Sequence, residues 1–209
     1  MTAVKICGIT REQDALAAAH AGANAVGFVF FEKSPRYVSA KRATELMHVL
    51  PPFVCSVGLF VNASEAHVGD TLREARLDLL QFHGDETPDE CRRHGVPYMK
   101  AVRVRPGVDL VKYARDFCDA KALLLDAFVE GVHGGTGRGF DWSLIPRDLP
   151  LPVVLSGGLS PENVTEAVKR VRPWAVDVSS GVESSKGIKD AAKIAAFITG
   201  VRVASEAEV

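Results

Sequence analysis

Val153-Val-Leu-Ser-Gly-Gly158 and Ala175-Val-Asp-Val-Ser-Ser-Gly181 are two apolar, β-branched runs that stop in serine and glycine just before a polar, helix-like stretch. Each reads as a buried strand feeding a helix, and two such units in succession point to a repeating βα chain. Strand ends of this kind offer backbone N–H groups to an anion, and the missing Cβ of glycine lets a phosphate oxygen approach the main chain. Gly157, Gly158, Ser180 and Gly181 are therefore candidate phosphate-binding residues. Glycine pairs also make plain tight turns, but their recurrence in consecutive units favours a phosphorylated small-molecule ligand.

Working outward, the same alternation runs through the chain. Strands are predicted at Val4 to Cys7, Ala25 to Phe30, Cys55 to Val61, Leu79 to His83, Tyr98 to Val104, Ala122 to Asp126, Val153 to Ser156 and Ala175 to Val178. Helical runs fall between them, at Arg11 to His20 (Thr10 as N-cap, Gly22 as stop signal), Ala40 to Leu50, Glu65 to Arg76, Pro88 to His94, Leu110 to Phe117, Pro161 to Val171 and Asp190 to Thr199. Between Phe128 and Leu149, five glycines replace a clear helix and predict a mobile loop plus a short helical turn; Gly134 to Gly137 read as a lid hinge or as only an open turn, and a loop of this length favours the functional reading. Eight strands in 209 residues predict a closed (β/α)8 barrel, one domain over residues 1–209, near the lower size limit for that fold. A doubly wound open sheet is the competitor; it usually has fewer strands, and the GxGxxG turn common to it is absent.

Composition narrows the function. With 47% hydrophobic and 24% charged residues and a net charge of −1, the chain is an ordinary globular protein with no global attraction to nucleic acid or anionic membrane. Its longest apolar stretch, around Ala25 to Phe31, is too short to span a bilayer, and the N-terminus lacks a secretory pattern, so a cytoplasmic location is expected. Four widely spaced cysteines and six histidines form no metal-ligand grouping. A structural or catalytic metal therefore has little support.

In a barrel, strand C-termini share one rim, where the active site lies. Cys7, at a strand end before a helix N-terminus, occupies a position that can favour a thiolate acting as base or nucleophile; as a small hydrophobe it would instead seal the barrel mouth. Asp126 follows Leu123-Leu-Leu125, where it can act as a general acid or as a turn residue. Arg36 lies in the loop after the second strand and can grip a substrate carboxylate by a two-pronged hydrogen bond, or remain a surface arginine. His83 can polarise a substrate oxygen or satisfy a core hydrogen bond.

Taken in order, Lys5-Ile-Cys-Gly-Ile-Thr10, Gln81-Phe-His-Gly-Asp-Glu86, Leu125-Asp126, Gly135-Thr-Gly137, Phe140-Asp-Trp142, Leu155-Ser-Gly-Gly-Leu-Ser-Pro-Glu-Asn163 and Asp177-Val-Ser-Ser-Gly-Val-Glu183 closely resemble the phosphoribosylanthranilate isomerases of tryptophan biosynthesis. The likeness runs from Lys5 to about Thr199; Phe82 stands where leucine is commoner, and the acidic tail from Ala204 lies outside it. The resemblance implies a cofactor-free (β/α)8 isomerase carrying out an Amadori rearrangement. It implies Cys7 as general base, Asp126 as general acid, Arg36 on the anthranilate carboxylate, and the backbone around Gly157, Gly158, Ser180 and Gly181 on the phosphate. A monomer or a homodimer is compatible with it. Rival readings are a catalytically silent barrel that binds a phosphometabolite, and another phosphosugar isomerase or epimerase. A metal-dependent epimerase would need more ligands at the rim, and the indole-forming synthase of the same pathway would carry lysine where Cys7 stands.

Overall fold

The computed structural model describes residues 1–127 and 141–206. Most of the predicted loop, including its hinge glycines, lies outside the described residues; the expected short helical turn is present at Trp142–Leu144. Eight parallel strands, β1 (Ala3–Cys7), β2 (Ala25–Val29), β3 (Cys55–Phe60), β4 (Leu79–Phe82), β5 (Tyr98–Val104), β6 (Ala122–Ala127), β7 (Val153–Leu155) and β8 (Ala175–Val178), close in chain order into a barrel. Closure is made by β8 against β1, where Ala3 pairs with Ala175 and Ile6 with Val178.

The strands are apolar on consecutive residues because both faces are covered. In β6, Leu123, Leu124 and Leu125 are all fully buried. Leu124 packs inside the barrel with Val57, Met99, Ala101 and Val154, whereas Leu123 and Leu125 face outward onto Val102, Leu110 and Ala114. Each such leucine stabilises the fold by about 1.5–3 kcal/mol relative to exposure.

The helices among the described residues are α1 (Glu12–Ala21), α2 (Ala40–His48), α3 (Glu65–Glu74), α4 (Pro88–Arg92), α5 (Leu110–Asp116), α6 (Val164–Val171) and α7 (Ala191–Glu206). Gly22 ends α1 at φ 100°, as expected of a left-handed stop residue. Thr10 is not the N-cap of α1. Arg11 occupies that position without a side-chain cap, and the Thr10 hydroxyl donates instead to the Gly187 carbonyl, 2.6 Å away. Helix α6 begins three residues later than predicted, because Asn163 turns back to accept from the Ser160 N–H (2.9 Å) and to donate to the Gly158 carbonyl (2.8 Å). Helix α7 runs past Thr199 into the acidic tail, since Val201 and Ala204 continue its buried face. A two-stranded hairpin, β9 (Glu183–Ser185) with β10 (Ile188–Lys189), was not anticipated and lies between β8 and α7. Phe82, the departure from the common leucine, packs against Phe60, His94 and Tyr98 with ring centroids 6.0–6.3 Å apart.

Candidate active site

The alternation that puts Leu79, Ala101, Leu124, Val154 and Ala175 in or against the barrel interior carries on along each strand. Two residues further, the same face presents Gln81, Arg103, Asp126, Ser156 and Asp177. These side chains floor a cavity of about 700 Å³ at the C-terminal rim, which Cys7, Arg36, His83, Gly157, Gly158 and Ser180 also line. Seven of the eight residues expected at the site thus converge on one cavity, Gly181 being the exception.

Two polar groupings face each other across it. On β1, Lys5 and Cys7 point to the same side: a Cβ at Gly27 would lie 2.9 Å from the Cys7 Sγ and 3.1 Å from the Lys5 Nζ. Lys5 Nζ donates to Asp177 Oδ1 at 2.7 Å, and the Ser156 hydroxyl donates to Asp177 Oδ2 at 3.3 Å. Burial alone would depress the Lys5 ammonium, but Asp177 and Cys7 outweigh it and raise the pKa above the ordinary lysine value. Burial pushes the Cys7 thiol up, opposed by Lys5 and reinforced by Asp177. Burial thus opposes the thiolate that the position before a helix was expected to favour, and Lys5 is the main counter-charge to a thiolate there. On the other side, Gln81 Nε2 lies 2.8 Å from His83 Nδ1, and His83 Nε2 lies 3.1 Å from Asp126 Oδ2.

Arg36 does reach the rim, but it is already held. Its Nε and Nη2 donate to Glu183 Oε1 and Oε2 at 2.7 and 2.8 Å, the fork geometry expected for a substrate carboxylate. Lys189 Nζ donates to the same Glu183 Oε1 at 2.9 Å and to the Ser179 carbonyl at 3.0 Å. Burial would raise the Glu183 carboxyl, yet Arg36 and Lys189 hold it below its ordinary value. Of Arg36's five N–H donors, two go to Glu183.

The glycine turns differ in what they do. Gly157 (φ 83°) and Gly158 (φ 69°) lie in the left-handed region that side-chain-bearing residues avoid. Gly181 sits in a single 3-10 turn, Ser180–Val182, and a Cβ there would collide with the Leu159 carbonyl oxygen. Its missing side chain is therefore required by the neighbouring turn, so the two turns are fitted to each other. Sequence reasoning missed Lys5, Gln81, Asp177, Glu183 and Lys189. All but Lys189 lie inside motifs that carried the family likeness, so the signal was present but attached to no role.

A closed (β/α)8 barrel with its polar cavity at the C-terminal rim and glycine turns after the seventh and eighth strands defines the class of barrels in which phosphate sites recur at that position. Comparisons with known proteins narrow the class. Residues 4–200 match the family model described as "N-(5'phosphoribosyl)anthranilate (PRA) isomerase". The chain is 63% identical over 196 residues to the N-(5'-phosphoribosyl)anthranilate isomerase of Thiobacillus denitrificans, covering 94% of this chain and 96% of that one. It is 59% identical over 200 residues to the enzyme of Nitrosospira multiformis, covering 96% of each. The crystal structure of phosphoribosyl anthranilate isomerase from Thermotoga maritima is similar, at 42% identity and TM-score 0.88, over 97% of this chain and 100% of that one. A phosphoribosyl anthranilate isomerase solved with reduced 1-(o-carboxyphenylamino)-1-deoxyribulose 5-phosphate superposes with TM-score 0.85 at 42% identity, over 97% of this chain and 100% of that one. The chain belongs to the N-(5'-phosphoribosyl)anthranilate isomerase family.

Proposed function

We propose that this chain catalyses the Amadori rearrangement of N-(5-phosphoribosyl)anthranilate to 1-(2-carboxyphenylamino)-1-deoxyribulose 5-phosphate in tryptophan biosynthesis, in the cytoplasm and without a cofactor. Residues 1–209 form one catalytic domain, working as a monomer or homodimer. A dimeric form is known for the Thermotoga maritima relative, and among the described residues no helix is long and apolar enough to cross a membrane. Family membership supports the reaction. The observation that carries the residue roles is that Cys7 and Asp126 line one cavity together with the Gly157–Gly158 turn.

In this reading Asp126 gives its proton to the furanose ring oxygen as the ring C–O bond breaks, and nitrogen lone-pair donation leaves an iminium. The iminium acidifies the C2′ hydrogen, which Cys7 removes as a thiolate; the C–H electrons form the enolamine, and tautomerisation gives the ketone. Lys5 offsets the charge that a buried thiolate carries. The turns at Gly157, Gly158, Ser180 and Gly181 hold the phosphate end, and Arg36, braced by Glu183, holds the anthranilate carboxylate. Fixing both ends lowers the barrier without any further chemical group.

Loss of phosphoribosylanthranilate fluorescence with purified protein tests the reaction. Asp126→Asn and Cys7→Ser are each expected to lower kcat by about 10²- to 10⁴-fold while leaving KM nearly unchanged. Wild-type kcat in either variant would remove that residue from its role.

A further inference from the structure

Gln81 is completely buried, and among the described residues its carbonyl Oε1 has no hydrogen-bond partner. A buried amide with one end unsatisfied is destabilising, whereas methionine would fill similar space with no polar group. What the amide does have is one contact, from Nε2 to His83 Nδ1 at 2.8 Å, and His83 Nε2 in turn lies 3.1 Å from Asp126 Oδ2. We propose that Gln81 is a positioning residue that fixes the tautomer of His83 and, through it, keeps the acid proton of Asp126 free to leave.

An amide NH2 is a donor only. Facing it, His83 Nδ1 must accept, so the proton of the neutral ring sits on Nε2 and is donated to Asp126 Oδ2. With the ring N–H donated to Oδ2, the acid proton is not trapped between Asp126 and a basic ring nitrogen and can pass to the substrate. The carboxylate left behind is then stabilised by the Nε2–H already aimed at it. In the opposite tautomer, Nε2 would accept the acid proton and hold it away from the sugar. Turning the amide over would impose that tautomer and leave the Nε2 amide hydrogens in place of Oε1 as the unsatisfied group. The role rests on the assignment of Asp126 as general acid, but the tautomer itself exists without substrate and is read separately.

The experiment is a long-range ¹H–¹⁵N correlation spectrum of the histidine rings in the full-length protein, with His83 identified by its loss in His83→Asn. Protonated Nε2 and unprotonated Nδ1 are expected in the wild type. Gln81→Met should release the ring to a mixture of tautomers, and Gln81→Glu, whose carboxylate only accepts, should move the proton onto Nδ1. In both variants kcat should fall about tenfold, with KM within about twofold. A wild-type ring protonated at Nδ1, or an unchanged ring and kcat in Gln81→Met, would overturn the proposal. Should Gln81→Met not fold, the wild-type spectrum and Gln81→Glu still decide it. A wild-type protein with the expected ring but no turnover would contradict the acid–base reading and leave the tautomer assignment standing.

Discussion

Cys7 shares its strand face with Lys5, and that pairing decides how the thiol behaves. Burial pushes the thiol up and Lys5 pulls it down, while Asp177 keeps Lys5 charged at any physiological pH. Lys5→Met removes the offsetting cation and leaves the Asp177 charge nearby, so both changes raise the thiol further. The pH midpoint for alkylation of Cys7, followed by mass spectrometry of its peptide to set aside Cys55, Cys91 and Cys118, should shift upward and kcat should fall. An unchanged midpoint would show that Lys5 does not act on the thiol. Cys7 and Asp126 were legible as residues because strand ends in a barrel face one rim. Lys5 was not, because a lysine in an apolar run acquires meaning only when Asp177, 172 positions away in the chain, closes the barrel beside it.

At the scale of elements, the two turns that suggested phosphate binding form one fitted pair. Asn163 ties Gly158 and Ser160 into a turn, and Gly181 lies close under the Leu159 carbonyl of that turn. Gly181→Ala forces backbone apart, at about 1–3 kcal/mol. KM should rise roughly tenfold for an equivalent loss of binding of 1.4 kcal/mol, with a smaller change in kcat. An unchanged KM would mean that the turn does not position the ligand. Both turns were readable from glycine and serine at strand ends, but their mutual contact was not. The hairpin of β9 and β10 escaped for a related reason. Its strands span three and two residues, too short for a periodic signal, and it places Glu183, paired with Lys189, against Arg36.

Across the whole molecule, the barrel was legible because the strands, buried on both faces, are short apolar runs that alternate with helical runs along the chain. What could not be read were the ionic contacts that join the first two units to the last, such as Arg36 with Glu183, 147 positions apart. That contact carries a pH dependence. The folded Glu183 carboxyl lies below its ordinary value, so its contribution is present above the unfolded glutamate pKa of about 4.3. It is lost as pH falls through the folded value. Glu183→Gln leaves Arg36 and Lys189 without their counter-charge and should cost about 3 kcal/mol near neutrality. In urea unfolding the gap between wild type and variant should narrow below about pH 4. A gap that does not change with pH would assign the loss to packing.

In the proposed mechanism one thiol and one carboxyl at the rim carry out a proton-transfer isomerisation on a phosphorylated sugar held between two anchors. It is tested most directly by following phosphoribosylanthranilate fluorescence with wild type, Cys7→Ser and Asp126→Asn side by side under saturating substrate. Rapid loss of signal is expected with the wild type, and a loss slowed by about 10²-fold or more in each variant. Equal rates in all three, or a wild type that leaves the fluorescence unchanged, would contradict it.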